Sequence, residues 1–154
     1  MVVKDCQSLR DALRKPLEGI WNYRIEYSRF HSRTGSWQAS GKAVFVWNAD
    51  QARYDVQIGA NVTEENKPSH VLVTFFIEGV LRADASGWPR TGSAIEGIYV
   101  ARKGEDPFGE PSKPHLSYAN VRIKRSPDGA SGTEILAEFE TGKTSGHVQF
   151  VKRV

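Results

Sequence analysis

The sequence predicts an all-β domain: eight antiparallel strands in an up-and-down meander, closed into a barrel behind a short N-terminal helix. Three observations carry that expectation. Apolar and polar residues alternate with period two along most of the chain, the segments between are short and rich in Gly, Pro, Asn and Ser, and no helical pattern separates any two of them. Strands joined by short turns pair with their sequence neighbours, and closing eight of them buries one common apolar face and removes exposed edges. A two-sheet sandwich is the alternative. It needs longer crossovers, and only residues 104–114, with three prolines and two glycines, have the length for one.

The 154 residues suffice for one domain with its own core, residues 1–16 forming the helical segment and 17–154 the barrel. Within 7–16, Ser8 is a cap candidate, Leu9 and Leu13 lie four apart on one face, and Pro16 ends the helix. The single cysteine, Cys6, excludes a disulfide framework within the chain and suits a reducing cytoplasm. No long apolar run follows Lys4, so neither a signal peptide nor a transmembrane helix is expected, and no membrane partner. Net charge is +3 with acids and bases interspersed. Its densest basic cluster, Arg122, Lys124 and Arg125, alternates with Val121 and Ile123 as the outer face of a strand, so nucleic acid is not indicated.

The first strand, 17–27, is the clearest. Leu17, Gly19, Trp21, Tyr23, Ile25 and Tyr27 share one side, against Glu18, Asn22, Arg24 and Glu26, and only Ile20 breaks the alternation. The second, 36–48, turns Trp37, Ala39, Gly41, Ala43, Phe45 and Trp47 inward, while Val44 and Val46 imply that something covers the outside there. The third, 53–62, turns Tyr54, Val56, Ile58, Ala60 and Val62 inward. The fourth, 70–84, is the most hydrophobic, with Val71, Val73, Phe75, Ile77, Gly79 and Leu81 on one face and a length that predicts a bulge near Gly79. In the fifth, 93–103, two phases compete: Ala94, Glu96, Ile98 and Val100 against Ile95, Gly97, Tyr99 and Ala101. Strands at 115–125, 132–142 and 147–154 close the chain, joined by Ser-Pro-Asp-Gly and Thr-Ser-Gly turns.

Gly19-Ile20-Trp21 on the first strand, preceded by a short helix and followed by an eight-strand meander, resembles the lipocalin-like, or calycin, superfamily. The resemblance implies that Trp21, in a Gly-x-Trp motif with Gly19, plugs the closed end of the barrel. It also implies that a basic residue of the last strand, Arg153 or Lys152, packs over the indole. The chain departs from that family's secreted members in having no cysteine pair and no late Thr-Asp-Tyr segment, Tyr54-Asp55-Val56 coming too early. It has no room after the first strand for the helical lid of fatty-acid-binding proteins, and lacks their Arg-x-Tyr clamp, which makes it an atypical intracellular member. Small barrels of prokaryotic defence receptors, which bind cyclic nucleotides, are similar in architecture.

A barrel of this size holds one small ligand. The candidate contacts are the inward aromatics with polar handles, Tyr23, Tyr27, Trp47, Tyr54 and Tyr99, which also serve as ordinary core. Glu78, Arg82 and Glu96 are charged residues on otherwise apolar strands, of which Glu96 and Arg82 join the candidates, with Arg82 or Arg33 as counter-ion to an anion. The expected function is noncatalytic binding of a small, largely apolar ligand with a polar or anionic group. A small enzyme using a Glu/Tyr pair is the second reading, favoured if Glu96 turns inward beside Tyr99. A packed barrel whose loops bind another protein, or sense a nucleotide, is the third, with homo-oligomers allowed; Trp88-Pro89-Arg90 is either its loop tip or a segment folded back over the barrel mouth. The histidines His31, His70, His115 and His147 have no i,i+2 or i,i+4 spacing, and no phosphate loop or nucleophile motif is present, so no metal or cofactor is expected.

Overall fold

The computed structural model describes residues 15–29, 37–64, 67–103, 115–125, 133–140 and 144–152. The expected helix at 7–16 and the candidates Arg33, His31 and Arg153 lie outside the described residues, apart from the turn at 15–17. The strands are β1 (Gly19–Arg29), β2 (Trp37–Asn48), β3 (Arg53–Glu64), β4 (Lys67–Arg82), β5 (Ile95–Lys103), β6 (His115–Arg125), β7 (Thr133–Glu140) and β8 (Ser145–Lys152). They pair antiparallel in sequence order, and β8 returns to β1, closing the barrel. No helix among the described residues is long and apolar enough to cross a membrane.

Alternation sets the interior. Leu17, Trp21, Tyr23, Ile25 and Tyr27 are buried while their sequence neighbours face out, and β3 does the same with Tyr54, Val56, Ile58, Ala60 and Val62. Each core side chain, from Leu17 to Phe150, is at most 5% exposed. A ligand-sized void would leave its lining accessible to water, so the space against these residues is filled by protein. At Gly41 the backbone of β3 lies close against β2. A Cβ there would overlap the Gly59 carbonyl oxygen and lie 2.8 Å from Ala60 Cα, so only glycine fits.

Three expectations are corrected. Val71 faces out and is 46% exposed, because Val62 pairs with Val73 and Thr63 with Val71, leaving Leu72 as the extra residue of a bulge. The bulge therefore sits at Leu72 and not at Gly79, which pairs in register with Val56 and with Gly97. Nothing among the described residues covers Val44 and Val46, which stay exposed, with Ile20 opposite Val44. The open question in β5 is resolved by register: Leu81 pairs with Ile95 and Ile77 with Tyr99, so Ile95 and Tyr99 are buried and Glu96, Ile98 and Val100 face out.

Two irregularities shape the wall near β6. Asn120 has φ of 55°, a left-handed conformation that Asn tolerates better than most residues, and it falls where the β6–β7 register shifts. Among the described residues β5 pairs with β6 from Ile95 to Ile98. The ladder is continued by the preceding loop, where Val121 N–H donates to the Ser93 carbonyl at 2.9 Å and Gly92 N–H to the Val121 carbonyl at 3.1 Å.

Candidate functional site

One end of the barrel is plugged. Trp21 Nε1 donates to the Leu17 carbonyl at 2.9 Å, and its ring lies 5.5 Å from that of Phe45. Lys152 Nζ stands 5.6 Å from the indole centroid and donates to the Glu18 carbonyl, so the basic residue over the tryptophan is Lys152. Gly19 precedes the plug at φ of 129°, which side chains beyond glycine rarely adopt. Tyr54 ties the chain start to the β4–β5 loop: its hydroxyl accepts from Leu17 N–H at 3.2 Å and donates to the Gly87 carbonyl at 2.6 Å. Burial, with Glu18 and Asp84 nearby, pushes that phenol up to about 12 against the lowering by Leu17 N–H. Trp88 folds back against the core instead of forming a free tip. Asp84 organises its loop by accepting from the Ser86 hydroxyl, from Trp88 N–H at 3.1 Å and from Ser86 N–H at 2.9 Å, and these bonds, the hydroxyl's first, hold its carboxyl below the ordinary range.

Midway along the axis lies a buried aromatic cluster. The Tyr23 and Tyr118 hydroxyls hydrogen-bond to each other, their rings stack at 6.2 Å, and Phe150, Phe75 and Phe139 pack around them. Burial, the largest cause, raises both phenols well above the ordinary tyrosine value, and Tyr27 likewise. Tyr23→Phe is expected to cost about 1–2 kcal/mol by stranding the Tyr118 hydroxyl, whereas Tyr23→Phe with Tyr118→Phe restores most of the loss, because two matched apolar groups leave nothing unsatisfied. Urea unfolding of the two single variants and the pair checks this. Additive losses would contradict the bond. The same burial has a pH signature: the tyrosines' contribution is fully present below pH 10, their unfolded value, and is lost as pH rises through the raised folded values.

The expected contacts thus divide between two places. Tyr23, Tyr27, Tyr54 and Tyr99 are packed in the core and Trp47 is half-buried, its ring beside Tyr54 and under Lys15 Nζ. Arg82 and Glu96 are exposed on the outer face. Glu96 and Tyr99 lie on opposite sides of the wall, so they form no Glu/Tyr pair.

Arg82 and Glu96 instead line one outer groove of about 450 Å³, with Arg53, Val80, Ser93, Ala94, Gly97, Ile98 and His115. The sheet register builds it. Arg53 pairs directly with Arg82, Val80 with Glu96, and Ile98 with His115, all on strand positions whose side chains point away from the core. Two arginines facing each other across a ladder repel. Arg53 is relieved by Asp55, whose Oδ1 accepts from its Nε at 3.1 Å. Among the described residues no carboxylate pairs with Arg82, nor with Arg90, which shares an adjoining hollow of about 300 Å³ with it. Arg53 and His115 were invisible as site residues in the sequence because only the register brings them to Arg82. Among the described residues no three His, Cys, Asp or Glu side chains are placed to hold a metal ion.

No protein-family model matches this chain, and comparison with curated proteins and with solved structures finds no match.

Proposed function

We propose that this chain is a noncatalytic, lipocalin-like binding barrel whose small, largely apolar ligand is held on the outer groove by its anionic group. The observation that carries the reading is Arg82: a guanidinium with no acid partner among the described residues, facing a second arginine, with Val80 the next outward residue of its strand and Ile98 further along the same groove. An anion there relieves the arginine repulsion and receives a forked donor suited to carboxylate or phosphate. The groove volume falls in the range of small-molecule sites, about 300–1,000 Å³. The core argues for the outside as well, since its tyrosines are packed and an interior ligand would have to displace them. The Gly-x-Trp start and Lys152 over Trp21 support the lipocalin-like assignment, and a lone cysteine fits the cytoplasm.

The test is an NMR titration with isocaproate, a branched aliphatic carboxylate, at low salt. Arg82→Gln is expected to weaken binding about tenfold, the scale of one charge-assisted hydrogen bond discounted for exposure. Tyr23→Phe is expected to leave it unchanged. Equal binding by the wild type and Arg82→Gln, or loss on Tyr23→Phe, overturns the reading.

A further inference from the structure

We infer that the groove selects a zwitterion: a small molecule carrying a carboxylate and an ammonium close together on an aliphatic body, of which an aliphatic α-amino acid is the simplest case. This rests on the outer-groove reading and names its ligand class. Val80 pairs with Glu96, so Arg82, two residues further along β4, is the diagonal neighbour of Glu96 on the same outer face. Diagonal neighbours in a sheet lie about 7–8 Å apart, within reach of long side chains. Yet the two form no ion pair, and neither pairs with any other described residue.

Opposite charges that face one groove without meeting are complementary to a molecule that carries both signs. Its carboxylate lies against Arg82 and its ammonium against Glu96, with Val80 on the floor between them. Ile98, the next outward residue of β5 and 57% exposed, receives the aliphatic body. A ligand with only an anion would leave Glu96 facing a like charge. One with only an ammonium would meet Arg82 and Arg53. Discrimination by sign at both ends is what such an arrangement supplies.

Three probes separate the cases: leucine, isocaproate (leucine without its amine) and isoamylamine (leucine without its carboxylate), titrated against the full chain at fixed low salt. Leucine is expected to bind about fivefold more tightly than either, the upper range for exposed charge pairs. Glu96→Gln is expected to remove most of leucine's advantage over isocaproate. Glu96 is exposed and unpaired among the described residues, so the thermal midpoint of that variant should match the wild type, and Glu96→Asp should keep part of the preference. Isocaproate binding as well as leucine, with Arg82→Gln still weakening both, overturns the zwitterion and leaves the anion site standing. A leucine preference untouched by Glu96→Gln also overturns it. Saturable binding by none of the three overturns both readings.

Discussion

Trp21→Ala is expected to destabilise the barrel by about 3–5 kcal/mol, the usual cost of emptying a large aromatic site in a core. The indole is 1% exposed and packs on Phe45, and its N–H satisfies the Leu17 carbonyl at the point where the chain enters β1. Truncation removes all three contributions and leaves a void at the plugged end, where Leu17 and Tyr54 cannot close in without breaking their own hydrogen bond. Against a typical total of about 5–15 kcal/mol this is a large share. Lys152→Ala should cost much less, about 1 kcal/mol, because a cation over an indole contributes little beside burial of the ring itself. Urea unfolding of the two variants distinguishes the terms. If Lys152→Ala cost as much as Trp21→Ala, the cation and not the ring would be holding the end closed.

Gly41→Ala is expected to cost about 3 kcal/mol or more. A strand glycine replaced by alanine in open space would instead gain about 0.4–1 kcal/mol by restricting the unfolded chain. The clash decides the sign here, because the atoms in the way, the Gly59 carbonyl and Ala60 Cα, are backbone and cannot rotate aside. Relief requires β2 and β3 to separate along their paired length, which weakens the ladder from Ala39 to Phe45. The midpoint of urea unfolding reads the effect. A loss under 1 kcal/mol would mean that the Gly59 carbonyl does not occupy the space a Cβ at Gly41 would need.

Much of the architecture was legible because one face of each strand is buried, which forces period two. β1 and β3 follow it residue by residue. The exceptions have identifiable causes. Val71 read as inward because alternation was carried unbroken through β4, and nothing in Leu-Val-Thr announces the extra residue that Leu72 becomes. The phase of β5 stayed open because both of its faces are apolar: Ile98 and Val100 look like core but face outward, and only pairing with β4 separates them from Ile95 and Tyr99. The candidate site was half legible. A charge on an apolar strand singles out Glu78, Arg82 and Glu96, but the position of Arg82 and Glu96 on the outer wall, the facing Arg53 and the neighbouring His115 depend on the registers of β3 with β4, β4 with β5 and β5 with β6, which alternation within a strand does not set. Tyr118, the partner of Tyr23, is 95 residues away from it and carries no local signal.

Methyl-resolved NMR during a leucine titration decides whether the ligand sits on the outer wall or within the barrel. Saturable shifts of the Val80 and Ile98 methyls, with Ile25, Ile77 and Val148 unmoved, are the predicted result, since the first pair borders the groove and the other three are core. Shifts concentrated on Ile25, Ile77 and Val148 while Ile98 stays still would contradict it and place the ligand inside.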